Sequence, residues 1–173
     1  MPNWCSNTIN ITGPKEDINK FVEHLDSTSG KDWFSYFKPM PEEFKEEWYA
    51  WNQNNWGCKW NCDAQDWNLQ EDGDNATVFF WFDSPWGPPI NLYETINANY
   101  EIEASYYEPG MAFVGEFREG YDSEYQCATL DDLDYIPANL EEEWNLREQL
   151  ENMEEEWDPE EELDKITVSE DEE

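Results

Sequence analysis

The chain has 173 residues, with 43 Asp and Glu against 9 Lys and Arg, a formal net charge of −34. Such a surface repels DNA, RNA and anionic membranes, and it attracts basic surfaces over a Debye length of roughly 8 to 10 Å at ordinary salt. An imbalance of this size usually means disorder, but the 11 Trp, 9 Tyr and 9 Phe supply enough apolar surface for a folded core.

In chain order, residues 8–12 alternate polar and apolar, with Ile9 and Ile11 on one face, which predicts a strand. Gly13 and Pro14 end it. Ile18, Phe21, Val22 and Leu25 then recur at helical spacing, so an amphipathic helix is predicted to about Asp26. Trp33, Phe34 and Phe37 form a short apolar cluster. Pro41 followed by Glu42 and Glu43 predicts a second helix start, carrying Phe44, Trp48 and Trp51 and ending near Asn54. Residues 58–69 are strand-like, and Asp72-Gly73-Asp74-Asn75 is a turn.

Residues 76–83, ATVFFWFD, give the clearest strand, apolar on both faces and therefore central. A Pro-rich loop at 84–89 leads to a short helix with Leu92, Tyr93 and Ile96. Three further strands follow at 100–107, 111–117 and 124–130, the last after a turn at 120–123. The order β-α-(α)-β-β-α-β-β-β predicts an α+β fold in which helices pack on a mostly antiparallel sheet.

Leu146, Leu150, Met153 and Trp157 form one stripe on a helix predicted from about Asn139 to Glu156, closed by Pro159. Beyond it the composition predicts a disordered acidic end. The boundary between the aromatic-rich domain and this acidic helical extension is placed between residues 135 and 136. From residue 141 to 173, 17 acids face Arg147 and Lys165, a net of −15, which leaves −19 on the first 140 residues. Tail acidity therefore cannot account for all of the charge.

Other constellations point elsewhere only weakly. Trp4, Trp56, Trp60, Trp81 and Trp86 could line a ligand cleft, but large aromatics more often build a core. Cys58-x3-Cys62 with Cys5 and Cys127 has the ligand types of a zinc site, yet a second close pair is missing, and free cysteines are usually buried. His24 is the single histidine and falls on the polar side of its helix. No nucleophile–base–orienter set is visible, and adjacent acids such as Asp131 and Asp132 are commonplace in so acidic a chain. No enzyme activity and no cofactor are expected. Direct nucleic-acid binding lacks the basic surface it needs. The opening residues carry neither a basic n-region nor an apolar run, and no window approaches the roughly 18 to 20 apolar residues of a membrane span. The expectation is a cytoplasmic chain with reduced cysteines.

Five stretches resemble the YubB ferredoxin-like domain family of phage and plasmid proteins: Met1-Pro2-Asn3-Trp4-Cys5-Ser6-Asn7 with Thr12-Gly13-Pro14; Pro39-Met40-Pro41; Asn55-Trp56-Gly57-Cys58-Lys59-Trp60-Asn61; residues 82–89, FDSPWGPP; and residues 106–115, YYEPGMAFVG. The resemblance spans about residues 1–130. It implies a ferredoxin-like α+β fold and a home in mobile genetic elements, and it implies no activity. The charge and the acidic extension depart from it.

That departure directs the functional expectation. B-DNA carries one negative charge per roughly 1.7 Å of axis, and a rigid carboxylate array can present comparable density to a groove built for nucleic acid. A phage origin makes host defence proteins such as CRISPR effectors or restriction enzymes logical targets, met in the host cytosol. The candidate partner-binding residues are Asp131, Asp132, Asp134, Glu141, Glu142, Glu143, Glu148, Glu151, Glu154, Glu155 and Glu156, with Trp144 and Trp157 as apolar anchors. The alternative is an assembly module without mimicry, in which the aromatic face and the stripe of Leu146, Leu150, Met153 and Trp157 pack on the body or across a homodimer.

Overall fold

The computed structural model describes residues 1–156. Its contacts divide the chain into two units, Met1–Gln126 and Cys127–Glu173. The first unit contains β1 (Trp4–Pro14), α1 (Lys15–Thr28), α2 (Phe34–Phe37), a 3-10 turn (Glu42–Glu47), α3 (Trp48–Asn55), β2 (Gln65–Asp72), β3 (Asn75–Pro85), α4 (Ile90–Asn97), β4 (Glu101–Glu108), β5 (Phe113–Arg118) and β6 (Tyr121–Gln126). The second contains a 3-10 turn (Leu130–Tyr135), α5 (Ala138–Glu143) and α6 (Leu146–Glu156). The fold is α+β, with a six-stranded sheet in the order β2-β3-β1-β4-β5-β6. Every neighbouring pair is antiparallel.

Strand β1 follows from its alternation. Cys5, Asn7, Ile9 and Ile11 are buried, and Ser6, Thr8, Asn10 and Thr12 point to the other side. It pairs with β3 from Trp4↔Pro85 to Pro14↔Asn75 and with β4 from Ser6↔Tyr107 to Thr12↔Glu101. Ile9, Ile11, Val78, Phe80, Phe82, Ile102, Ala104 and Phe117 therefore share one sheet face, which is buried with Ile18, Phe21 and Leu25 of α1, Phe34 of α2, Trp51 of α3 and Leu92, Tyr93 and Ile96 of α4. Trp33 sits at the centre, its ring 4.9 Å from Phe80 and 5.0 Å from Phe82. Edge-to-face packing of this kind adds to the burial of area. α1 starts after Pro14 with Glu16 and Asp17 in its first turn, where negative charge is favoured. It ends at Ser29, whose φ of 55° is left-handed.

A small polar network lies inside this face, centred on Asn7 and Ser84. Asn7 Nδ2 donates to the Cys5 carbonyl at 2.9 Å and to Ser84 Oγ at 2.8 Å, and Tyr93 Oη donates to Asn7 Oδ1 at 3.2 Å. Ser84 Oγ in turn donates to the Gly87 carbonyl at 2.7 Å. The network ties the end of β3 and its Pro-rich loop to β1 and α4. Gly30 serves a similar closing role: it accepts from the Ala64 N–H at 2.8 Å, and a Cβ there would strike the Ala64 carbonyl.

The structure departs from the sequence expectation in several places. Residues 42–47 form a 3-10 turn rather than the start of an α-helix. The 3-10 geometry brings i and i+3 into line, and Lys45 there pairs with Glu42 at 2.6 Å. Residues 58–64 are loop, with Cys58, Cys62 and Ala64 buried, and the strand begins at Gln65. β6 begins at Tyr121, because the hairpin turns one step earlier, on Glu119 and Gly120 with φ of 53° and 81°. His24 is half-buried, its ring 4.9 Å from Tyr36. The helix predicted over 139–156 is two helices, broken at Trp144 and Asn145; Asn145 has a left-handed φ of 49°. The acidic end beyond it lies outside the described residues.

Asn7→Ala would strand buried polar atoms of Ser84 and Tyr93. We expect it to cost about 3 kcal/mol in urea unfolding, whereas Thr12→Val, which breaks the half-buried 2.7 Å Thr12–Thr77 hydroxyl pair, should cost less than about 1 kcal/mol.

Candidate partner-binding surfaces

The second unit is organised by its leucines. Leu133, Ile136, Leu140, Leu146 and Leu150 are all buried, and α6 packs on α5 and on the 3-10 turn Leu130–Tyr135. This fixes which acids face water. A capping box starts the 3-10 turn: Thr129 caps the Asp132 N–H, and Asp132 returns the bond to the Thr129 N–H. Asp132 Oδ2 accepts from the Ala128 and Thr129 N–H groups at 2.7 and 2.9 Å, and these bonds hold its carboxyl below the usual carboxylate range. Burial, with Asp132 nearby, pushes the Cys127 thiol up to about 11.

Several predicted contact residues are already engaged within the chain, Asp132, Glu141 and Glu148 in the following ways. Asp132 is a cap. Glu141 Oε1 accepts from Arg147 Nε at 3.0 Å and Nη2 at 2.9 Å. Glu148 accepts from the Asn145 amide across the helix break. Asp131, Asp134, Glu142, Glu151, Glu154 and Glu155 are exposed and make no ion pair among the described residues. Glu143 is exposed and Trp144 half-buried. Glu156 ends α6, and Trp157 lies outside the described residues. The break at Asn145 separates Glu141, Glu142 and Glu143 from the helix that carries Glu148, Glu151, Glu154 and Glu155. The predicted apolar stripe divides too: Leu146 and Leu150 are buried, while Met153 is 41 % exposed.

The tryptophans split between two environments. Trp56 is buried in the core and donates Nε1–H to the Lys38 carbonyl at 2.9 Å. Trp81 is on the opposite sheet face and donates to Asp66 at 3.0 Å. Trp4 and Trp86 are 48 % and 51 % exposed. Trp4 and Trp60 meet edge to face, centroids 6.2 Å apart, at a cleft of about 330 Å³ lined by these rings with Asn61, Asp63, Gln65 and Asp83. Every lining residue belongs to the first unit. The sequence offered these tryptophans as core or as cleft; it could not show that residues 56 apart would meet.

Cys5, Cys58, Cys62 and Cys127 are all buried free thiols. Burial pushes the Cys5 thiol far up, and the hydrogen bond in which the Cys62 thiol donates to Cys58, together with burial, does the same for Cys62. Among the described residues no group of three or more His, Cys, Asp or Glu is placed to hold a metal ion, so the Cys58-x3-Cys62 spacing is not part of such a cluster. Two carboxyls on β6, Asp122 and Glu124, are raised by desolvation, Glu124 further by Asp122. Tyr106 Oη donates to Asp122 at 2.6 Å, and Gly115 leaves room for that hydroxyl, which a Cβ would strike.

No protein-family model matches the chain, and neither curated proteins nor solved structures give a match. Among the described residues no helix is long and apolar enough to cross a membrane.

The cap gives a pH test. A carboxyl depressed in the folded state stabilises fully above its unfolded value, near 3.9, and loses that contribution as pH falls through the lower folded value. Asp132→Asn keeps an acceptor oxygen but loses the charge, and should cost only about 0.5 kcal/mol at pH 7, with the gap to the wild type narrowing as pH drops below about 4; thermal unfolding followed by circular dichroism at each pH checks this.

Proposed function

We propose that this chain is a non-enzymatic binding protein whose acidic second unit occupies a basic, nucleic-acid-binding surface of a host protein. The carrying observation is the placement of carboxylates on α6. Glu148, Glu151, Glu154 and Glu155 occupy about 10 Å of helix at about 1.5 Å per residue. That is one carboxylate per roughly 3 Å, close to the roughly 3.4 Å between charges along one DNA strand. Glu151, Glu154 and Glu155 make no ion pair among the described residues, so their charge is open to a basic groove. Asp131, Asp134 and Glu142 add exposed carboxylates on other elements of the same unit. Association would be steered electrostatically and would release counterions from the partner's surface.

We further infer a ferredoxin-like framework of the YubB type and an origin in a phage or other mobile element. The strand order β4-β1-β3-β2, with α1 after β1 and α4 between β3 and β4, supports this reading, because it is the split βαβ arrangement in which each crossover skips one strand. β5 and β6 extend the β4 edge. In that setting the partner is a host defence protein that handles DNA or RNA, such as a CRISPR effector or a restriction enzyme, met in the host cytoplasm. A second reading, an assembly module without mimicry, draws on the exposed Phe44, Trp48 and Tyr49.

Salt separates the two. Capture of a partner from host lysate, followed by titration between about 50 and about 500 mM salt, should show affinity falling roughly a thousandfold or more, with DNA or RNA competing. Replacing Glu151, Glu154 and Glu155 by Gln should weaken binding and flatten the salt slope. An affinity indifferent to salt and to competitor would sink mimicry and leave the assembly reading standing.

A further inference from the structure

The cleft between Trp4 and Trp60 has a chemistry of its own. The two indoles are inclined by 61°, so they meet edge to face and are not stacked on one another. Trp4 keeps 48 % of its surface in solvent. Two carboxylates share the opening. Asp83 uses Oδ1 to accept from Ser6 Oγ at 2.9 Å, which leaves Oδ2 for another donor. Among the described residues Asp63 accepts a single long bond, 3.3 Å, from the Asp32 N–H. Aromatic faces and carboxylates around one opening favour a cation and disfavour an anion. The chain already shows the preference: Lys59 Nζ lies 5.1 Å from the Trp60 ring centroid.

Geometry selects among cations. A guanidinium is planar, stacks on indole, is weakly hydrated, and presents a fork of N–H donors to a carboxylate. An ammonium is compact and strongly hydrated, and would give up more solvation to enter an opening walled by two indoles. We propose that the Trp4–Trp60 cleft is a recognition site for an arginine side chain of a partner protein. The ring of Trp60 or Trp4 stacks on the guanidinium plane, and Asp83 with Asp63 receives its N–H groups. The site does not depend on the carboxylates at 131–155, since every residue lining it lies in the first unit.

The test uses the full chain and acetylated, amidated arginine, read by the indole N–H resonances in nitrogen-15-labelled protein. The signals of Trp4 and Trp60 should move together and saturably while that of the exposed Trp48 does not. Asp83→Asn keeps an oxygen for Ser6 but removes the charge, and should weaken binding about three- to tenfold. Lys59→Gln removes a like charge beside the ring and should tighten binding. Acetylated, amidated lysine should bind several-fold more weakly than arginine. The proposal is overturned if no shift occurs, if Trp48 shifts as much as Trp4 and Trp60, if Asp83→Asn binds as the wild type does, or if lysine binds as well as arginine. A Trp60→Ala chain that keeps its amide dispersion and still binds arginine equally would overturn it too. None of these outcomes bears on the salt dependence assigned to α6.

Discussion

Strand β1 is the constraint on which the first unit depends. It is hydrogen-bonded on both edges, to β3 along its whole length and to β4 over seven positions, so its register sets the register of the sheet. A slip of one residue would put Ser6, Thr8, Asn10 and Thr12 into the core and Ile9 and Ile11 into water. Asn7 makes the choice stricter than apolar alternation alone would. Its amide is satisfied only where Ser84 and Tyr93 can reach it, and a buried amide without partners costs as much as several favourable contacts return.

The same register builds the opposite face. Because Ser6 stands across from Asp83 and Thr8 from Trp81, the inward Phe80 and Phe82 require that Trp81 and Asp83 point outward. The cleft beside Trp4 is therefore a by-product of core packing in β3, completed by a loop. That loop is held in turn by Asn61, whose Oδ1 accepts from the Phe34 N–H at 3.0 Å and whose Nδ2 donates to Ser35 at 2.7 Å, and by Trp56 from within the core.

A chain of this charge must place its carboxylates with care, and the structure sorts them. Glu108 is buried and accepts from the Gly110 and Met111 N–H groups, both at 2.7 Å. Asp122 serves Tyr106, and Asp132 caps a turn. Glu71, Glu103 and Glu141 take Lys15, Arg118 and Arg147; exposed pairs of this kind contribute little stability. The chain has too few cations to go round. The carboxylates of α6 stay exposed because Leu146 and Leu150 claim the other side of that helix. An acidic surface and a cation-favouring cleft on separate units would both suit a basic, arginine-bearing partner.

The sequence by itself determined the alternating strands, the amphipathic α1, the α+β class and the split of charge between body and extension, because each is a local pattern of period 2 or 3.6 or a simple composition. It also held two signals that periodicity masked. Thr129-x-x-Asp132 is a capping box in letters, and Asn145 is a residue type that tolerates the left-handed turn dividing α5 from α6. The stripe begins only at Leu146, so the start of its helix near Asn139 rests on composition, which is blind to a change of backbone direction at Asn145. Only the tertiary structure decided that Trp4 meets Trp60, that Asp132 is a cap and not a free charge, and that Asn7 holds the end of β3. Those outcomes depend on strand register and loop closure between residues 56 or more apart for the rings and the asparagine, and on which face of each element is left in water once the core is filled.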